Sequence, residues 1–119
     1  MIKYEKYARD ALSRKEGKEA LNYANQLLNH CTDAIKFISF KMESLILLKR
    51  VPEAIDFSTK IQNQFIDSPE FLYWRGKLMI CNGNIEMGKK FIREALNKDP
   101  DNVKLQRAWK NITRMDKLK

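Results

Sequence analysis

The feature that most constrains this chain is a period. Ala20, Ala54 and Gly88 stand 34 residues apart without a gap, and large apolar residues recur in step as Tyr4, Ile38 and Leu72. Self-similarity at this interval marks stacked supersecondary units that bury their apolar faces only against one another. Gly76, Gly88, Ala95 and Pro100 define the last period. One period earlier the same places hold Met42, Ala54, Ile61 and Ile66, and two periods earlier Ala8, Ala20, Leu27 and Thr32. Two antiparallel helices approach closely only where side chains are small, so small residues at fixed places predict helical hairpins. Met42 breaks the small-residue pattern and predicts a middle hairpin that is splayed or repacked.

Breakers are few: four Gly and three Pro in 119 residues, which favours long helices. Ser68-Pro69 reads as an N-cap followed by a first-turn proline. Pro52 after Val51 could open a helix in the same way. Asn82-Gly83-Asn84 and Glu16-Gly17-Lys18 read as turns within hairpins, and Asp99-Pro100-Asp101-Asn102 ends one helix and caps the next. Seven helices are predicted, near 2–14, 18–30, 34–49, 52–65, 69–82, 85–97 and 102–117, with ends uncertain by a few residues. In the last, Leu105, Ala108, Trp109, Ile112 and Met115 keep helical spacing, with lysines and arginines on the other face. The expected fold is all-α: a superhelix of three antiparallel helical hairpins, at about 1–34, 35–68 and 69–102, and a C-terminal capping helix over 103–119, all in one domain.

Composition excludes several classes. No apolar run approaches the roughly 18 residues that cross a membrane, and the N-terminus lacks the apolar core of a secretory signal. Cys31 and Cys81 are far apart in sequence and form no ligand motif, as expected of thiols in a reducing compartment, the cytoplasm or the nucleus. The lone His30 stands beside Cys31 at a predicted helix end, where neighbours do not face each other, and no metal-ligand spacing exists. There is no phosphate-cradling glycine loop and no catalytic constellation. The chain therefore reads as a binding module without cofactor or metal, not an enzyme.

The stretch from Tyr4 to Lys119 resembles the tetratricopeptide repeats of DnaJ-type co-chaperones. The residues that carry the resemblance are Tyr4-Glu5-Lys6, Lys49-Arg50-Val51-Pro52-Glu53-Ala54, Leu72-Tyr73-Trp74-Arg75-Gly76 and Ala95-Leu96-Asn97-Lys98-Asp99-Pro100-Asp101. The resemblance implies a scaffold that binds chaperones or clients, with further repeats and a J domain following. The sequence has no His-Pro-Asp, which implies a fragment or a truncated relative. Chaperone-binding members grip the C-terminal carboxylates of heat-shock protein 70 or 90 with lysine, asparagine and arginine. Those places here hold Glu5, Arg9, Phe40, Glu70 and Trp74, and only Arg9 has a suitable charge. What remains on the first helices is an aromatic and basic set: Lys6, Arg9, Phe40, Tyr73, Trp74, Lys77 and Arg107. These could hold a protein or peptide ligand, with the aromatics as anchors. The alternative, and the more ordinary one, is that Phe40 and Trp74 pack between adjacent first helices. A general assembly adaptor with no chaperone link would use the same surface.

The net charge is +8, and residues 101–119 carry six basic against two acidic residues, half of that total. This raises an RNA-associated module as the third reading, behind the solvated face of a capping helix. The expected result of a gel shift with generic RNA or DNA is no retention near physiological salt.

Overall fold

The computed structural model describes residues 2–31 and 34–117, with side chains over 3–31 and 34–114. Among these residues it forms seven α-helices and no strand. They are α1 (Ile2–Ser13), α2 (Gly17–His30), α3 (Ile35–Leu47), α4 (Val51–Ile61), α5 (Pro69–Cys81), α6 (Ile85–Lys98) and α7 (Val103–Lys117), with a 3-10 turn at Gln62–Gln64. Thr32 and the side chain of Met115, both used in the sequence reading, lie outside the described residues. The helices group into two compact units, Met1–Thr59 and Lys60–Lys119.

The first unit packs α1 on α2 and α2 on α3. Ala8, Ala11, Ala20 and Ala24 are fully buried, so the small residues of the period lie where the helix backbones come close. Ala8, Ala24, Leu27 and Phe40 form one core cluster, and Leu12, Tyr23 and Phe37 pack against it. Met42 is wholly buried as well, so the larger side chain is taken into the core. Wholly buried Leu27, Ile38 and Leu45 each contribute about 1.5–3 kcal/mol by leaving water. Two buried serines satisfy their own hydroxyls by bonding back to the helix: Ser44 Oγ donates to Phe40 O at 2.6 Å and Ser58 Oγ to Ile55 O at 2.9 Å.

The second unit packs α5 on α6 and α6 on α7. Here the two small places are both glycine, and neither has room for a methyl group. A Cβ on Gly76 would come within 2.8 Å of Ile92 Cδ1 and 3.2 Å of Gly88 O; one on Gly88 would come within 2.7 Å of Ile80 Cγ1 and 3.1 Å of Gly76 O. Phe71, Leu72, Leu78, Ile92, Ala95, Leu105 and Ile112 fill the core around this crossing. Capping follows the sequence signals. Ser68 Oγ accepts from Phe71 N, Asn84 Oδ1 from Met87 N and Asn102 Oδ1 from Leu105 N.

The period is written into the backbone at the turns inside the hairpins. Among the described residues Lys15, Lys49 and Gly83, each one period from the next, are those with positive φ, at 59°, 60° and 85°. Each is followed by the same long bond: Glu16 N to Ala11 O, Arg50 N to Leu45 O and Asn84 N to Met79 O, all at 2.8 Å. This is the left-handed helix terminator that usually takes glycine. Gly17 is therefore not the turn residue that Glu16-Gly17-Lys18 suggested. It is the first residue of α2 and is buried, because a Cβ there would lie 3.0 Å from Leu48 Cγ and 3.1 Å from Leu47 Cβ. The helix expected over 52–65 also ends early, at Ile61. The tighter turn that follows brings Phe65 against Phe71, with ring centroids 5.6 Å apart, and lets Gln62 Oε1 accept from Arg75 Nη1 at 2.7 Å.

A non-glycine residue in the left-handed region costs about 1–2 kcal/mol, partly offset because glycine is freer when unfolded. Gly83 has nothing within 4 Å of its would-be Cβ, so the effect there is purely conformational. Gly83→Ala should lower stability by about 1 kcal/mol, and Lys49→Gly should raise it by about 0.5 kcal/mol. Urea midpoints at unchanged slope read both effects.

Candidate functional site

Basic and aromatic residues of the first helices fall into two sets, one in each unit. In the first, Lys6 and Arg9 project from α1 and are exposed. The Arg9 guanidinium lies 5.9 Å from the centroid of the Phe40 ring and 3.7 Å from Glu5 Oε2. Phe40 itself is part of the core cluster. Glu5 also pairs with Lys36 on α3 at 3.0 Å, so one carboxylate joins α1 to α3.

In the second unit, α5 and α7 enclose a cleft of about 460 Å³. Its apolar lining is Ile80, Ile92, Ala108 and Ile112, its aromatic wall is Tyr73, and its polar rim is Lys77, Lys104, Arg107 and Asn111, with the Cys81 thiol at one side. None of these residues is acidic. Helical spacing explains the grouping. On α5, Lys77 lies four residues from Tyr73, three from Ile80 and four from Cys81; on α7, Lys104 lies three residues from Arg107 and four from Ala108, and Asn111 four and three from the same two.

Trp74 is not part of the cleft lining. It is buried, and its Nε1 donates to Glu70 Oε1 at 3.0 Å. The same carboxylate oxygen accepts from Lys104 Nζ at 3.1 Å. The Lys104 ammonium also lies 4.4 Å from the Tyr73 centroid and 5.1 Å from that of Trp74, within cation–π range of both. Lys77 Nζ sits 5.8 Å from the Tyr73 centroid. Of the aromatic and basic set, the structure thus brings together Tyr73, Lys77 and Arg107, and seats Trp74 behind them. The sequence reading missed Lys104. Its signal is the period itself: residues 70 and 104 are 34 apart and occupy equivalent places on adjacent first helices.

Two other cations are half-buried against aromatic rings. Arg75 lies 4.7 Å from the Phe91 centroid and 6.0 Å from that of Phe71, and burial pushes its pKa down from the usual guanidinium range. Lys41 lies 4.6 Å from the Phe57 centroid, and burial lowers its pKa too. Among the described residues no group of three His, Cys, Asp or Glu could hold a metal ion, and no helix is long and apolar enough to cross a membrane.

With this geometry the chain superposes on solved tetratricopeptide domains. It matches the first TPR domain of human RPAP3 at a TM-score of 0.79, with 13% identity, over 93% of this chain and 87% of that one. It matches the TPR domain of Sgt2 from Aspergillus fumigatus at 0.81, with 12% identity, over 97% and 78%. The first TPR of Spaghetti (RPAP3), solved with the HSP90 peptide SRMEEVD, matches at 0.77 and 12% identity over 96% and 90%. The chain has the tetratricopeptide fold. Among curated proteins it resembles DnaJ homolog subfamily C member 7 of Homo sapiens, at 26% identity over 111 residues, 93% of this chain. A 46-residue stretch, 39% of the chain, is 41% identical to the DnaJ homolog subfamily C member 3 homolog of Dictyostelium discoideum. The chain spans 22% of the first and 9% of the second. No protein-family model matches it.

Burial separates the side chains that can be tested for binding from those that hold the fold. Trp74→Ala should cost about 3–5 kcal/mol, the usual loss for a buried large aromatic. Lys77→Glu, on an exposed residue, should stay within about 0.5 kcal/mol of the parent. Urea unfolding of the two variants checks both figures.

Proposed function

We propose that this chain is a protein-interaction module whose α5–α7 cleft takes an acidic peptide segment with a bulky aliphatic side chain. The observation that carries this reading is the lining itself: an apolar floor under Lys77, Lys104, Arg107 and Asn111, with no acidic residue among them. Apolar side chains supply burial, and the cations form charge-assisted hydrogen bonds to carboxylates. Asn111 adds a neutral donor and acceptor that fixes orientation. Lys6, Arg9 and Phe40 are proposed as a separate contact patch in the first unit.

The finer reading is a scaffold in a tetratricopeptide-containing DnaJ-type co-chaperone that engages heat-shock protein 70 or 90 or a client. Two likenesses support it: the resemblance to DnaJ homolog subfamily C member 7 along most of this chain, and the fold shared with a domain solved with an HSP90 peptide. That peptide, SRMEEVD, is itself acidic with aliphatic side chains, the chemistry the cleft accepts. One observation favours a second reading, an assembly adaptor outside the chaperone system. Glu5, Phe40, Glu70 and Trp74 stand where clamp members carry basic or amide side chains.

Titrating labelled SRMEEVD with fluorescence anisotropy tests the first reading. The expected affinity is micromolar, about −8 kcal/mol or weaker, and Lys77→Glu or Arg107→Glu should each weaken it by roughly tenfold, about 1.4 kcal/mol. Equal binding by the parent and both variants would remove the cleft from the interaction. A cytosolic pulldown that retains neither heat-shock protein 70 nor 90 would leave the adaptor reading in place.

A further inference from the structure

We propose that Glu70 is an internal competitor for the cleft: its carboxylate occupies Lys104, one of the cations an acidic ligand would need, and sets how acidic a segment must be to bind. The inference rests on the reading of the cleft as a site for acidic segments and concerns the regulation of that site.

Glu70 is at the start of α5 and is not itself part of the cleft lining, whereas Lys104 is. Glu70 Oε1 accepts from Lys104 Nζ at 3.1 Å and from Trp74 Nε1 at 3.0 Å. The indole is buried, so it anchors the carboxylate beside the cleft and directs it at the ammonium. The pair is breakable. The Glu70 and Lys104 side chains keep 37% and 46% of their exposure, and an ion pair this wet is weak and screened by salt. Lysine has three donors on a flexible stem, so Lys104 can turn from Glu70 to a ligand carboxylate without moving α7. It stays over the Tyr73 ring, which borders the same cleft, through that exchange.

A neutral or weakly acidic segment gains nothing from Lys104, because exchanging one partner for another of equal strength is level. A segment with two or more carboxylates reaches Lys77 and Arg107 as well, and displaces Glu70 at little cost. The internal carboxylate is thus a selectivity element that works against poor ligands, as specificity often requires.

The test is a double-mutant cycle on the intact chain, read by anisotropy with two labelled hexapeptides, one alternating leucine and glutamate and one alternating leucine and glutamine. Glu70→Gln removes the charge while its amide oxygen still accepts from Trp74, so the fold should hold. Glu70→Gln is expected to bind the leucine–glutamate peptide about two- to fivefold tighter. In a Lys104→Met background the same change should give no gain, and the leucine–glutamine peptide should respond to neither. A parent that does not bind and a Glu70→Gln variant that does would support the competitor equally. If Glu70→Gln fails to tighten binding while Lys77→Glu weakens it, the competitor is overturned and the cleft stands. If the gain survives Lys104→Met, Glu70 acts by general repulsion and the competitor is again overturned. If neither parent nor Glu70→Gln binds the acidic peptide, the cleft and the competitor fall together.

Discussion

The second unit depends on two backbones meeting where neither residue has a side chain. Gly76 and Gly88 face each other across α5 and α6, and each carbonyl oxygen lies 3.1–3.2 Å from where the other's Cβ would be. The space that a pair of methyl groups would claim is filled instead by Ile92 and Ile80. Those two isoleucines are also part of the cleft floor. One close approach therefore determines the hairpin and the apolar surface on which the cations stand. A side chain at either glycine would push the helices apart or displace the isoleucines and so move the floor, which ties the site to this close approach.

Much of the fold was legible because the period is a packing constraint. Ala8 and Ala20 had to be small for α1 and α2 to meet, and the structure buries both. Capping at Ser68 and Asn102 was legible for the same kind of reason, since each side chain has one local donor to satisfy, whereas Asn84, read as a turn residue, caps α6 as well. The misreadings have physical causes. Glycine served as the sign of a turn at Gly17, but there it marks a tight contact with Leu47 and Leu48. The turn itself falls on Lys15, a residue type with no preference for positive φ, and only comparison with Gly83 two periods on would have shown it. The end of α4 at Ile61 was hidden because Gln62, Asn63 and Gln64 break no helix on their own; Phe71 and Arg75 draw the chain into a tighter turn.

The candidate site was legible in kind and less so in membership. Tyr73, Lys77 and Arg107 meet at the cleft because helical spacing alone puts them on facing surfaces. Phe40 and Trp74 did not declare themselves, since an aromatic on a first helix serves equally as anchor or as core. Trp74 is held by a partner four residues away on its own helix. Lys104 escaped because its importance is relational: it lies over two rings and against one carboxylate, and none of these contacts is visible from α7 alone.

Glu70 and Lys104 occupy the same place in successive periods and carry opposite signs. A chain built from identical copies could not do this, because one letter would stand at both places and like charges would face each other. Here the divergence between copies lets one copy recognise its neighbour. The irregularity that makes the repeat hard to read from sequence is also information about order: at this one pair it favours the observed neighbour of α7 over a surface of like charge, by the small margin of an exposed ion pair.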